Sequence, residues 1–240
     1  MRLLIIRHGD PDYEHDTVTE KGAREVELLS ERLVKEGITK IYCSPLGRAR
    51  ATAAPTCRKL GLEPTIFDWL QEFPAPAVIP PGEERLRCIW NLPPAYWSSF
   101  PEHFDREAWR QSPLLRDTDV AERYDRICTA FDAVIAEHGF VRDGMCYHIK
   151  PGCENSTETI AFFCHLGLGN CLLAHITGMP LPQWWHTVFL PTSSVSTVYM
   201  EKHLPNQPIA IGRVVGIGDV SHLYAGGEPV SSSGLFSKMP

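Results

Sequence analysis

The 240 residues are 43% apolar and 22% charged, which supplies enough side chain for a substantial core and excludes bulk disorder. Lysine and arginine total 23 against 29 aspartates and glutamates, so the formal charge is −6, and no basic run occurs; nucleic acid and anionic membrane are excluded as partners. An anionic substrate must therefore be met by individual arginines.

The opening stretch Met1-Arg2-Leu3-Leu4-Ile5-Ile6-Arg7 has a short apolar run closed by an arginine, which reads as a buried strand over 3–6 and not as a secretion signal. Residues 19–36 place Val26, Leu29, Leu33 and Val34 near helical spacing, with Gly37 as the stop. A second strand follows over 38–43. Ser44-Pro45 then opens a helix to Leu60, because serine caps an orphan amide and proline at the first helical position gives up no needed donor.

Residues 73–120 differ in character. They hold prolines 74, 76, 80, 81, 93, 94, 101 and 113 and the aromatics Trp90, Tyr96, Trp97, Phe100, Phe104 and Trp109 without a sustained period. The segment reads as an inserted lid, with a satellite cluster packed on the domain as the alternative. After it come a helix over 121–137, a continuous apolar run over 159–164 suited to a central strand, a helix over 168–176, strands over 195–200 and 209–215, and a serine- and glycine-rich tail over 226–240. Strands alternating with helices predict an α/β fold: one domain over 1–240, a three-layer α/β/α sandwich with a mostly parallel central sheet. No apolar stretch approaches the roughly 20 residues of a membrane span. The eight cysteines form no Cys-x-x-Cys pair and are read as reduced thiols of a cytoplasmic protein.

Three elements deliver unusual polar residues at the same kind of place. Arg7-His8-Gly9 follows the first strand, Ser44-Pro45-Leu46-Gly47-Arg48 the second, and His165-Leu166-Gly167 the buried run. Ligands of open parallel sheets bind beyond the carboxyl ends of the strands, so two histidines and two arginines are expected to meet on one edge. Arg48 leans toward its helix start, where exposed amides add positive potential for an anion. Guanidinium forks match phosphate oxygens, and an imidazole held neutral among them can attack phosphorus. The departing alkoxide then needs a proton from a nearby carboxylic acid.

Arg7-His8-Gly9, Thr19-Glu20-Lys21-Gly22, Ser44-Pro45-Leu46-Gly47-Arg48-Ala49, Leu70-Gln71-Glu72, His165 and Asp219-Val220-Ser221-His222-Leu223, in this order, resemble the histidine phosphatase superfamily of phosphoglycerate mutases and broad-specificity phosphatases. The resemblance implies that His8 becomes phosphohistidine, that Arg7, Arg48 and His165 hold the transferred phosphate, and that Glu72 is the general acid and then the base. It implies a substrate-binding place for Gly9 and for the amide of Leu166, which stands where glycine is usual. Asp68, Glu83 and Glu84 compete with Glu72 for the acid role, while Asp10 and Asp12 would repel phosphate. His15, His103, His138, His175, His186 and His203 receive no role. Thr192-Ser193-Ser194 suits either support of the site or a simple turn.

Cys146-Tyr147-His148 and Cys153 lack the paired spacing of a zinc site, so neither metal nor cofactor is expected. Mutases of this type carry a Trp-Asn pair soon after Arg-His-Gly. Here residues 10–15 read Asp-Pro-Asp-Tyr-Glu-His, which favours water as the acceptor and a phosphatase over a mutase or a non-catalytic phosphate-binding scaffold. The aromatic insertion, with Arg85, Arg87, Arg106 and Arg110, suits a small phosphate ester with a flat or apolar remainder; its aromatics equally suit the contact of a homodimer.

Overall fold

The structure, a computed structural model, describes residues 1–74, 76–204 and 206–235. In chain order the main elements are β1 (Arg2–Arg7), α1 (Glu20–Leu33), β2 (Ile38–Cys43), α2 (Gly47–Leu60), β3 (Thr65–Ile66), α3 (Val120–Glu137), β4 (Phe140–Asp143), β5 (Cys146–Ile149), β6 (Thr159–Cys164), α4 (Leu166–Thr177), α5 (Leu181–Thr187), β7 (Val195–Lys202), β8 (Ile209–Asp219) and α6 (Ser221–Gly226). The strands form one sheet in the order β3-β2-β6-β1-β7-β8-β5-β4.

The sheet is mixed, with a parallel core. Strands β3, β2, β6 and β1 run parallel, whereas β7, β8, β5 and β4 extend the sheet in antiparallel pairs. The reason lies in the connections. Only residues 203–208 join β7 to β8, too few for the crossover of a dozen or more residues that a parallel return requires. The β4–β5 hairpin carries no apolar run; its signal is Asp143-Gly144, with Gly144 at φ 57° in the turn.

Alternation along the strands divides the core. Leu3, Ile5, Ile160 and Phe162 face α3 and α4, together with Phe131, Leu168 and Leu172. Leu4, Ile6, Ala161 and Phe163 face the other way, onto Leu29 and Leu33 of α1 and Ala49 and Ala53 of α2. All of these strand side chains are at most 1% exposed, and each leucine, isoleucine and phenylalanine among them contributes roughly 1.5–3 kcal/mol by leaving water. Two covered faces make the apolar runs continuous.

Residues 73–120 share the core of the main layer. Phe73, Ile89, Leu92, Trp97, Trp109 and Leu115 are buried in the same cluster as α3 and α4, so the segment completes that layer. The last five residues of the expected tail, 236–240, lie outside the described residues. All eight cysteines are free. Among the described residues, no helix is long and apolar enough to cross a membrane.

Candidate active site

Register brings the motifs together. Arg7 pairs with Cys164 across β1 and β6, and Phe163 pairs with Cys43 across β6 and β2. His8, His165 and Ser44, each the next residue along, therefore leave the sheet at one edge. The rings of His8 and His165 lie 5.1 Å apart between centroids, inclined by 58°.

His8 is 2% exposed, and its Nδ1 stands 2.8 Å from the Gly9 carbonyl. A carbonyl can only accept, so Nδ1 carries the proton and Nε2 keeps its lone pair. Burial first, and the charge of Arg7 second, push the His8 pKa down to about 3. The ring is neutral at pH 7. Its backbone is held on both sides, by His8 N donating to the Cys164 carbonyl and by Ser193 N donating to the His8 carbonyl, each at 3.0 Å. The Gly9 amide donates to Thr52 Oγ1 at 2.9 Å, and an added Cβ would lie 2.8 Å from Val26.

His165, fully buried, meets Ser44 Oγ at 2.8 Å through Nε2, and its Nδ1 has no partner. Burial, then His8 and the two arginines, hold its pKa well below the usual imidazole value. Arg7 donates to two carbonyls, Leu190 at 2.6 Å and Ser233 at 3.1 Å, and stacks 5.5 Å over Phe189. Its Nε is buried without a partner, and among the described residues no carboxylate forms an ion pair with it, although Glu72, Glu25 and Asp10 attract its charge from farther off. Arg48 is tied to Asp16 Oδ1 at 2.7 Å and lies 5.4 Å over Tyr13. Its Nε is also unpartnered.

The start of α2 differs from expectation. The helix begins at Gly47, two residues after Pro45, and its first amides are occupied: Leu46 N donates to Ser44 Oγ at 3.2 Å and Gly47 N to Asp16 Oδ2 at 2.6 Å. Asp16, at φ 47°, thus fills the place expected for a free anion and orients Arg48 instead. The first turn of α4 is more open. Leu168 N donates to Glu72 Oε1 at 3.1 Å, while Leu166 and Gly167 stand where amides have no intrahelical acceptor.

Glu72 Oε1 also accepts from Phe73 N at 2.9 Å. Burial raises its pKa, opposed by those two amides and by Arg7 and Arg48. Of its competitors, Glu83 is paired with Arg87 at 2.6 Å. Glu72 and Arg7 line a cavity of ≈ 430 Å³ walled by Leu166, Trp90, Trp185, Asn91 and Asn170. His8, His165 and Arg48 are not among the residues that wall it; they adjoin it through Arg7 and Leu166, their neighbours in the chain, and through Tyr13, over which Arg48 lies. A larger open groove of ≈ 750 Å³ runs along α2 from Gly47 to Pro64 and includes none of these groups. The insertion contributes Trp90 to the cavity wall, but Arg85, Arg87, Arg106 and Arg110 are not in it. Arg106 and Arg110 border a separate cavity with Asp125 and Asp132.

The supporting residues were the least legible. Glu25 is fully buried, accepting from Asp10 N at 3.0 Å and from Thr192 Oγ1 at 3.1 Å, and so braces the chain after His8. A carboxylate on the apolar face of α1, beside Val26 and Leu29, is its sequence signal. Thr192-Ser193-Ser194 supports the site: Ser193, at φ 56°, also holds His222 Nε2 at 3.2 Å, and Arg7 N donates to the Ser194 carbonyl at 3.2 Å. The chain beyond α6 returns over the site, tied by Glu228 to Lys21 at 2.9 Å and to Arg24 at 2.8 Å, which brings the Ser233 carbonyl onto Arg7.

The chain is similar to known proteins in family and fold. A family model described as histidine phosphatase superfamily (branch 1) matches residues 3–141. Putative phosphoserine phosphatase 2 of Hydrogenobacter thermophilus is 20% identical over 209 residues, covering 83% of this chain and 90% of that protein. A phosphoserine phosphatase from Entamoeba histolytica, solved in complex with 3-phosphoglyceric acid, superposes with a TM-score of 0.62 at 15% identity over 92% of this chain and 98% of that one. A mycobacterial glucosyl-3-phosphoglycerate phosphatase, solved with inorganic phosphate, gives 0.54 at 20% identity over 92% and 98%. At these identities the structural likeness is one of fold.

Proposed function

The chain belongs to the histidine phosphatase superfamily, and on that footing we propose that it hydrolyses small phosphate monoesters through a phosphohistidine on His8 Nε2. The observation that carries this reading is the neutral, buried His8, its lone pair directed by the Gly9 carbonyl, beside an arginine without a carboxylate partner.

His8 Nε2 attacks phosphorus as the ester P–O bond breaks, and Glu72 donates its proton to the departing alkoxide. Arg7, Arg48 and His165, with the amide of Leu166, hold the three equatorial oxygens and offset the charge spread over them. Glu72, now a carboxylate, takes a proton from water; the resulting hydroxide attacks phosphorus, the P–N bond breaks, and neutral His8 returns. Water is the acceptor in this reading, supported by the missing Trp-Asn pair over residues 10–15. The eight free thiols support a cytoplasmic location.

The test is turnover of p-nitrophenyl phosphate with and without a chelator, together with the His8→Ala variant. The expected outcome is chelator-insensitive release of inorganic phosphate, reduced by about 10³-fold or more in the variant. Acid-labile, base-stable label on His8 after a rapid quench supports the intermediate. Full activity of His8→Ala overturns the mechanism. Interconversion of phosphoglycerates outpacing phosphate release would replace water by a second alcohol as acceptor.

A further inference from the structure

On one side of the sheet, α1 and α2 cover Leu4 and Ile6 of β1 and Ala161 and Phe163 of β6. Register carries that side onward across the antiparallel half. Leu4 pairs with Thr197, which puts Tyr199 and Glu201 on the same side of β7. Tyr199 pairs with Arg213 and Glu201 with Ile211, and Ile209 continues the row on β8. His148 pairs with Ile209, Val141 with His148 and Asp143 with Cys146, so the face extends over β5 and β4.

These side chains stay in water. Val141, Tyr199, Ile209 and Ile211 are each between 38% and 44% exposed, and Val215, the extra residue of a bulge opposite Thr197 and Val198, is 55% exposed. Asp143, Cys146, His148, Glu201 and Arg213 are exposed with them. The other side of the same strands buries Tyr147, Ile149, Met200 and Ala210 in the core. A strand face left to solvent is normally polar, whereas half of this one is β-branched or aromatic. Together its residues expose on the order of 800 Å², what one partner gives to a standard interface.

Charge on the face suits a copy of itself. Arg213 pairs with Glu201 at 2.8 Å and His148 meets Asp143 at 3.0 Å, so both signs stand side by side along it. A partner of one sign would be repelled by part of these groups, while a two-fold axis can set each against its opposite. Trp97 and Trp109 of the insertion are taken up in the core, which removes them from such a contact. We propose that the chain forms a two-fold dimer by stacking this β7-β8-β5-β4 face on the same face of a second copy, in the aligned manner of a sheet sandwich.

The experiment is sedimentation equilibrium of the full chain from about 1 to 100 µM, with alkylation of Cys146 as a second readout. Cys88, also an exposed free thiol but outside the face, is the internal control. A mass of twice 26.9 kDa is expected in the upper part of that range. Ile211→Lys and Val141→Lys, at positions exposed in the single chain, should each keep the wild-type circular dichroism and return the mass to that of one chain, because two lysines would lose water in the contact. Cys146 should react about tenfold more slowly in the wild-type dimer than in either variant, and Cys88 equally in all three. Diluting the wild type should release Cys146 in step with the fall in mass, a readout that needs no substitution. A single-chain mass at the highest concentration overturns the proposal. So does a dimer that survives both substitutions, or one whose Cys146 reacts as fast as in the diluted chain, since either assigns the contact to another surface.

Discussion

Glu72 keeps its proton at pH values where a solvated carboxyl has lost it, because burial outweighs the two amides and two arginines that favour its charge. His8 is shifted the opposite way, down to about 3 by burial and Arg7. In the proposed mechanism the acid must be protonated and the nucleophile neutral, so the two shifts open one working window from both sides. On the acid side, His8 stays neutral down to about pH 5, where an ordinary imidazole is mostly charged. On the alkaline side, the rate on alkyl phosphates falls as the pH rises through the elevated Glu72 pKa. Glu72→Gln is expected to remove that alkaline limb and to lower kcat/KM on an alkyl phosphate, which covers only the steps up to the phosphohistidine and leaves out the shared hydrolysis, by about 10²–10⁴-fold. The loss should be much smaller on p-nitrophenyl phosphate, whose leaving group needs little protonation. Taking the ratio of variant to wild type at each pH cancels the substrate's own ionisation. An equal loss on both esters would remove Glu72 from the acid role.

At the scale of elements, the junction between α2 and the loop before α1 fixes Arg48. Gly47 is required there, since an added Cβ would lie 2.0 Å from the Asp16 carbonyl oxygen. Gly47→Ala is expected to push the loop from the helix, loosening Asp16 from Arg48. A destabilisation of about 1–3 kcal/mol in urea unfolding should accompany a higher KM for p-nitrophenyl phosphate. Unchanged stability and KM would mean that the loop moves without consequence for Arg48. This junction also shows where sequence legibility ends. The strands β1 and β6 carry continuous apolar runs and β2 ends on Ile41-Tyr42-Cys43, and His8, Ser44 and His165 are the first residues past the three strands, so both the sheet edge and its histidines could be read directly. Asp16 could not, because a lone aspartate in a polar loop has no periodicity and its partners lie on another element. The antiparallel half was equally hidden: connection length, rather than the apolar pattern of β7 and β8, decides strand direction.

At the scale of the whole molecule, the returning chain after α6 joins distant parts of the sequence at one cavity. Gly234 and Leu235 form part of its wall, and the Ser233 carbonyl occupies one nitrogen of Arg7. Ending the chain after Val230 should widen the cavity and free that nitrogen. The expected result is weaker discrimination against naphthyl phosphate relative to p-nitrophenyl phosphate, with tighter inhibition by inorganic phosphate. Unaltered discrimination and inhibition would show that the segment has no part in shaping the site.

The pairing of β1 with β6 has a temporal consequence. His8 is synthesised long before its neighbouring imidazole, with α1, β2, α2 and α3 between them. A ribosome-bound product that stops short of β6 has the proposed nucleophile without the strand that flanks it. In the proposed mechanism, competence is therefore acquired only at closure of that long-range contact.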